Sequence, residues 1–225
     1  MAATDLLYVY SDIETDSFRG NQLLQIAAVA QTNETFNAYI LPEGPLPLSI
    51  TNFLGLYLYK GDLYRDGRKL PTQSPKTVLL RFMEWIEQLQ RPVMLVFHNG
   101  FNFDCNVLVR HICKFCIETP RNLVKVGDTL PFFRTNLKAP EVPDHKLATL
   151  AKHFNIVQEH AHDALSDSIT LKLICEKYAK EKDLNVSVIF EYSCREYDNF
   201  KHRFLYNTPM PKLKKPKKTK NAEGK

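Results

Sequence analysis

Three short clusters of residues stand out in the sequence for the chemistry they could do together. In the first, Ser11-Asp12-Ile13-Glu14-Thr15, two carboxylates one residue apart end the apolar run 6–13. The two-residue period of a strand puts both acids on one side and Ile13 on the other. Two such anions repel, and a divalent cation between them relieves the repulsion, because hard cations such as Mg²⁺ take carboxylate oxygens. The second cluster ends in Asp104, after the turn His98-Asn99-Gly100-Phe101-Asn102-Phe103. An acid there also complements the dipole at a helix start, and Phe101 and Phe103 beside it are expected to be exposed and to stack on a base. The third is His162-Asp163-Ala164-Leu165-Ser166-Asp167. Asp163 can cap a helix, while His162 just before it and Asp167 one turn inside can face one point in front of its N-terminus, a place favourable to phosphate. Singly, each cluster is also what a solvated strand end or an ordinary helix start looks like.

The elements that must position these groups are legible from periodicity. Runs 6–13, 23–30 and 35–41 predict three successive strands in a meander. Pro42, Gly44, Pro45 and Pro47 then end the sheet and lead into an expected short helix at 51–59. Ser74 and Pro75 open a firmer helix on which Val78, Phe82, Trp85, Ile86 and Leu89 share a face. A short buried strand is expected at 92–98, a helix at 103–117, a strand at 123–126, and helices at 147–154 and 163–178. Residues 185–204 fit helix or strand, with a closing helix preferred. Strands alternating with helices after an opening meander indicate an α/β domain with a central mixed β-sheet flanked by helices.

With these settings in place, the chain resembles the DEDD exonucleases of the ribonuclease H-like superfamily, in their DEDDh branch, over roughly residues 6–180. The family's Asp-x-Glu on the first strand is matched by SDIET, its Asp after a later strand by HNGFNFD, and its His-x-Ala-x-x-Asp by HDALSD. Position selects the branch: the tyrosine variant needs Tyr four residues before the last acid, where Asp163 stands, whereas His162 is five before it. Within the branch the motifs most resemble the TREX-like and polymerase-proofreading enzymes. One departure is Glu14-Thr15-Asp16-Ser17, where many members carry a glycine after the first motif.

The resemblance implies a ribonuclease H-like fold and a 3′-5′ exonuclease that hydrolyses phosphodiester bonds at the 3′ ends of single-stranded or 3′-ended DNA or RNA, releasing 5′-mononucleotides. It implies two Mg²⁺ (or Mn²⁺) ions held by Asp12, Glu14, Asp104 and Asp167, and His162 as the base for the attacking water. His160 does not hold the matching position. The family's substrate positions fall on Phe18, Phe53 and Phe103, with Asn99 either holding its turn or contacting the terminal sugar. Two rival readings are a nucleic-acid binding domain without turnover and a two-metal hydrolase of small esters. A binding relic, however, has no physical reason to keep four mutually repelling acids.

Composition bounds what remains. A chain of 225 residues suits one substantial core, expected at 1–208, and a basic tail at 209–225 with too few apolar residues to fold. Residues 211–225 hold seven lysines and one acid, which leaves 23 basic and 24 acidic residues in the body. The positive charge therefore belongs to the tail, where Lys212, Lys214, Lys215, Lys217, Lys218 and Lys220 suit a nuclear-import signal or an electrostatic tether for nucleic acid. No apolar run approaches the roughly 18 residues of a membrane span, so the expected location is nuclear or cytoplasmic. Five cysteines, an odd number, argue for reduced thiols. His111, Cys113 and Cys116 lack a fourth partner at zinc spacing and read instead as part of a helix with buried thiols.

Overall fold

Strand β1 (Leu7–Thr15) is the spine of the molecule, buried on both faces. The computed structural model describes residues 6–17, 19 and 21–207, with side chains to 202. β2 (Leu23–Ala30), whose every residue is buried, returns antiparallel to β1, and β3 (Thr35–Ile40) returns antiparallel to β2. The register of the first pair shifts between Glu14 and Thr15, a bulge where the strand leaves the sheet beside the acids.

The chain then departs from the sequence expectation. A helix does form, but earlier, as α1 (Leu48–Leu54), and Gly55 ends it in the left-handed region at φ 68°. Residues 56–59, expected to be helical, are strand β4 (Leu56–Tyr59), which pairs with β5 (Asp62–Arg65), itself paired with β6 (Arg68–Lys69). The turns Lys60-Gly61 and Asp66-Gly67 carry positive φ at both central residues, the geometry that matches the twist of a two-residue hairpin. This small sheet is anchored by its own apolar cluster of Leu24, Leu54, Leu56 and Leu63.

β7 (Thr72–Gln73) adds to β3, and α2 (Pro75–Gln88) follows with Ser74 Oγ accepting from the Thr77 amide at 3.2 Å. The rest runs β8 (Val93–Phe97), α3 (Asp104–Lys114), β9 (Leu123–Asp128), α4 (Leu130–Asn136), α5 (Leu147–His153) and α6 (Ala164–Glu181). Where a closing helix was expected, the chain forms α7 (Ser187–Glu191), a short strand β10 (Cys194–Glu196) and α8 (Tyr197–Asn207). β10 is a strand because β9 offers it an open edge, Arg195 pairing with Val126.

The main sheet has the order β10-β9-β8-β1-β2-β3-β7, parallel among β1, β8 and β9 and antiparallel around β2 and β10. Helices cover both faces. Leu7, Val9 and Ile13 belong to the core shared with Val78, Phe82 and Ile86 of α2 and with Leu108 and Ile112 of α3. Tyr10 belongs to the opposite core, with Phe133 of α4, Leu150 of α5 and Ile174 of α6. Because side chains alternate along a strand, Asp12 and Glu14 share the Tyr10 face, toward the packing partner α6. The acid-bearing end of β1 outruns β8, whose pairing with it stops at Tyr10 opposite Val96. A crevice beyond the carboxyl ends of parallel strands is where α/β sheets place ligands.

Candidate active site

On its β8 side, the stretch of β1 beyond Tyr10 is met by an acid from across the crevice. Asp104, the first residue of α3, is buried, and its Oδ1 accepts from the Ile13 amide at 3.2 Å. That bond lies between Asp12 and Glu14 in sequence, so the second motif docks directly on the first. The approach depends on Gly100, where a Cβ would meet Phe97 Cβ at 2.4 Å, and on Asn99, whose backbone is left-handed at φ 65°. Asn99 Oδ1 accepts from Asn102 Nδ2 at 2.7 Å, which ties the turn together.

Asp128, at the end of β9, is the strut for this loop and was given no role by the sequence reading. It is buried and accepts three backbone amides: Asn99 at 2.8 Å, Phe101 at 3.1 Å and Leu130 at 3.0 Å. Amide bonds to a charged acceptor are among the stronger in proteins, about 1.5–3 kcal/mol each. The carboxylate thereby holds the β8–α3 turn while starting α4.

The third motif comes from α6. Asp163 caps the helix, Oδ1 accepting from the Leu165 and Ser166 amides at 3.2 Å each. Its Oδ2 receives Gln25 Nε2 at 3.0 Å, the Tyr39 hydroxyl at 2.7 Å and Arg65 Nη1 at 2.6 Å. Burial works against the charged form of Asp163, but these donors outweigh it and hold its pKa below the usual value. Asp167 is buried one turn inside. Its Oδ2 accepts from the His162 amide at 3.2 Å and its Oδ1 from Gln158 Nε2 at 2.5 Å. Among the described residues, Glu14, His162 and Asp167 are the group that brings metal-binding atoms together, all within 4.8 Å of one another.

The electrostatics follow from crowding. Burial, then Asp104, Glu14 and Asp167, push the Asp12 carboxyl well above its ordinary range. Burial, then Asp167 and Asp104, push Glu14 up to about 8, with Arg65 pulling the other way. Burial raises Asp104 to about 7 against two backbone hydrogen bonds that favour its anion, and burial also raises Asp167. Four acids held this way are a set of hard oxygen donors short of positive charge, which is the chemistry a divalent cation satisfies.

The aromatic positions divide. Phe53 is 53% exposed, and its ring centroid lies 4.0 Å from that of His162. Phe103 flanks Asp104 as the residue before α3, partly exposed and packed against the core. Phe101, expected to be free for a base, instead stacks on Phe200 at 5.9 Å with the Arg195 guanidinium 4.1 Å from its ring centroid. α8, in the region where a closing helix was preferred, supplies that partner. Phe18 lies outside the described residues. His160 is exposed, in a groove beside Arg65 and Arg68. In the cysteine segment, His111 is buried with Nδ1 at 2.9 Å from the Val107 carbonyl, Cys113 is half-buried, and Cys116, expected to be buried, is exposed because it follows the end of α3.

Comparison with known proteins gives this geometry a family. Residues 9–174, spanning all three motifs, match the RNase T family of exonucleases. The chain belongs to that family. Relatives of the chain include DPD1 of Arabidopsis thaliana, a chloroplastic/mitochondrial exonuclease 28% identical over 81% of this chain and 59% of its own length. The PolC-type DNA polymerase III of Streptococcus mutans is 31% identical over 92% of this chain and 14% of its own length. The chain thus spans less than two thirds of these relatives. In structure it is similar to E. coli Exonuclease I in complex with a dA16 oligonucleotide, with a TM-score of 0.62 at 15% identity over 84% of this chain and 43% of that one. The mixed seven-stranded sheet with flanking helices is therefore the fold of Exonuclease I, and residues 9–174 are an exonuclease-family domain.

Proposed function

We propose that the protein removes nucleotides one at a time from the 3′ ends of DNA or RNA, with Asp12, Glu14, Asp104 and Asp167 holding two Mg²⁺ (or Mn²⁺) ions and His162 as general base. The observation that carries this reading is geometric: Glu14, His162 and Asp167 bring their metal-binding atoms within 4.8 Å of one another, and Asp104 is bonded to the Ile13 amide between Asp12 and Glu14. When bound, the ions supply what hydrolysis of an anionic diester needs: neutralised phosphoryl oxygens, a more acidic attacking water and a stabilised leaving 3′ oxygen. The chain's own groups do the rest. His162 accepts the proton of the attacking water, since imidazole is the side chain that is an unprotonated base near neutral pH. Phe53 and Phe103 offer rings to the terminal bases, contacts that tolerate any base identity, and the same role is proposed for Phe18. Asn99 holds the turn that leads into Asp104, and contact with the terminal sugar is proposed for it as well.

Among the described residues no helix is long and apolar enough to cross a membrane. The catalytic unit is proposed to be 1–208. The lysine-rich run of 209–225 lies outside the described residues, and its charge suits nuclear import or an electrostatic hold on nucleic acid.

A 5′-labelled DNA strand and the matched RNA, incubated with Mg²⁺ or with chelator, test the reading. A ladder shortening by single nucleotides from the 3′ end of either strand, and no product with chelator, is expected. Cleavage that persists in chelator, or release of the labelled 5′ nucleotide first, contradicts it.

A further inference from the structure

The hairpin sheet 56–69 has no part in the three motifs, yet its Arg65 reaches into the third. From the end of β5 the guanidinium crosses the Tyr39 ring, 5.7 Å from its centroid, and forks. Nη1 donates to Asp163 Oδ2 at 2.6 Å and Nη2 donates to the backbone carbonyl of His162 at 2.9 Å. Its side chain is only 17% exposed.

The second bond matters because of what His162 is asked to do. Its φ of 64° is in the left-handed region, which residues with a Cβ rarely adopt because the Cβ crowds the backbone there. A conformation of that kind persists only where the surroundings impose it. The motif imposes part of it through the His162 amide on Asp167, and Phe53 leans on the ring. The carbonyl side is held by Arg65. Asp163 does not depend on Arg65 in the same way, because Gln25, Tyr39 and two backbone amides also donate to its carboxylate. A planar guanidinium spans two acceptors on neighbouring residues and fixes one relative to the other, whereas a lysine ammonium is a point charge without that fork.

We propose that Arg65 is a positioning residue for the reaction: by clamping the His162 carbonyl to the Asp163 cap it sets the backbone from which the His162 imidazole faces Glu14 and Asp167. The inference rests on His162 being the base, and the experiment separates the two claims. On one defined oligonucleotide with Mg²⁺, kcat and KM are measured for the parent, Arg65→Ala, Arg65→Lys, Tyr39→Phe, His162→Ala and the double variant Arg65→Ala/His162→Ala. Amide hydrogen exchange of residues 160–163 is followed in the metal-free proteins.

Arg65→Ala is expected to lower kcat by roughly 10-fold to 10²-fold, the scale of a misplaced catalytic group, with KM changed less than about twofold. Arg65→Lys, which keeps the charge beside Asp163, is expected not to restore kcat. Tyr39→Phe, which removes a hydroxyl that donates to Asp163 and accepts from Arg65 Nη1 at 3.2 Å but leaves both arms of the fork to Asp163 and His162, is expected to stay nearer the parent than either Arg65 variant. Exchange at 160–163 should quicken in both Arg65 variants, and Arg65→Ala should cost almost nothing further once His162 is alanine. If Arg65→Ala does not fold, Arg65→Lys carries the same comparison alone and in the His162→Ala background. A rise in KM, or an equal loss in the presence and absence of His162, means that Arg65 holds the strand or the fold and overturns the inference. Parental activity in His162→Ala overturns the base assignment itself.

Discussion

Replacing Asp12 or Asp167 by alanine is expected to abolish turnover while leaving a folded protein that, without metal, resists heat better than the parent above neutral pH. Both effects come from one source. The four acids are held where burial raises their pKa values, helped at Asp12 and Glu14 by repulsion from the neighbouring acids, Asp104 to about 7 and Glu14 to about 8, from ordinary values of 3.8 and 4.5. Between the ordinary and the raised values the folded chain binds more protons than the unfolded one, so stability falls as pH rises through that window. Below it the penalty is absent, and above it the penalty is complete. Thermal melts in chelator should therefore show a melting temperature that declines from about pH 4 to about pH 8, a shallower decline in Asp12→Ala, and recovery in the parent at pH 8 when Mg²⁺ is added. A flat profile, or a variant with near-parental nuclease activity in Mg²⁺, would contradict the assignment of these acids.

His162→Ala should lower kcat by roughly 10²-fold to 10⁴-fold, the usual reach of general base catalysis, and should leave the Mg²⁺-induced gain in melting temperature largely in place. The imidazole shares its surroundings with Glu14 and Asp167 within 4.8 Å, so the variant also separates two roles for it. A base is lost without losing the ions, whereas a ligand takes the ions with it. His160→Ala should stay near the parent, because His160 is exposed and lies in a groove on the Arg65 and Arg68 side. Pre-steady-state cleavage of one oligonucleotide by the two variants gives the comparison, and reversed sensitivities would move the base to His160.

The contrast between the acids and Arg65 shows which features a sequence displays. That Asp12 and Glu14 share one side of β1 and that Asp167 lies one turn inside α6 behind the Asp163 cap was legible, because strand and helix period fix each on a definite face. The roles proposed for them, for Asp104 and for His162 came from the family resemblance. Arg65 and Asp128 were not legible, because their partners are 97 and 29 residues away and nothing local marks them. Gln25 was a signal overlooked: a polar residue inside the apolar run LLQIAAVA must find a partner, and it finds Asp163. The hairpin sheet was misread for a local reason. The run 56–59 follows a helix directly, but Gly55 breaks that helix, and Lys60-Gly61 and Asp66-Gly67 are hairpin turns visible in the sequence. β10 is different, since residues equally suited to helix are drawn into a strand by the free edge of β9, a tertiary effect outside any window.

The claim that the crevice takes a strand end, and takes the 3′ end, is tested most directly by geometry of the substrate. Linear, circular and 3′-capped single strands of one sequence are incubated at equal concentration with the protein and Mg²⁺, and mononucleotide release is scored. With rings closing around a terminal base, attack falls on the last phosphodiester, each cycle frees a 5′-mononucleotide, and a new 3′-hydroxyl is left. The linear strand should be consumed while the circle and the capped strand survive. Degradation of the circle by the protein, lost in Asp12→Ala, would instead show an endonuclease working with the same acids and would contradict the account.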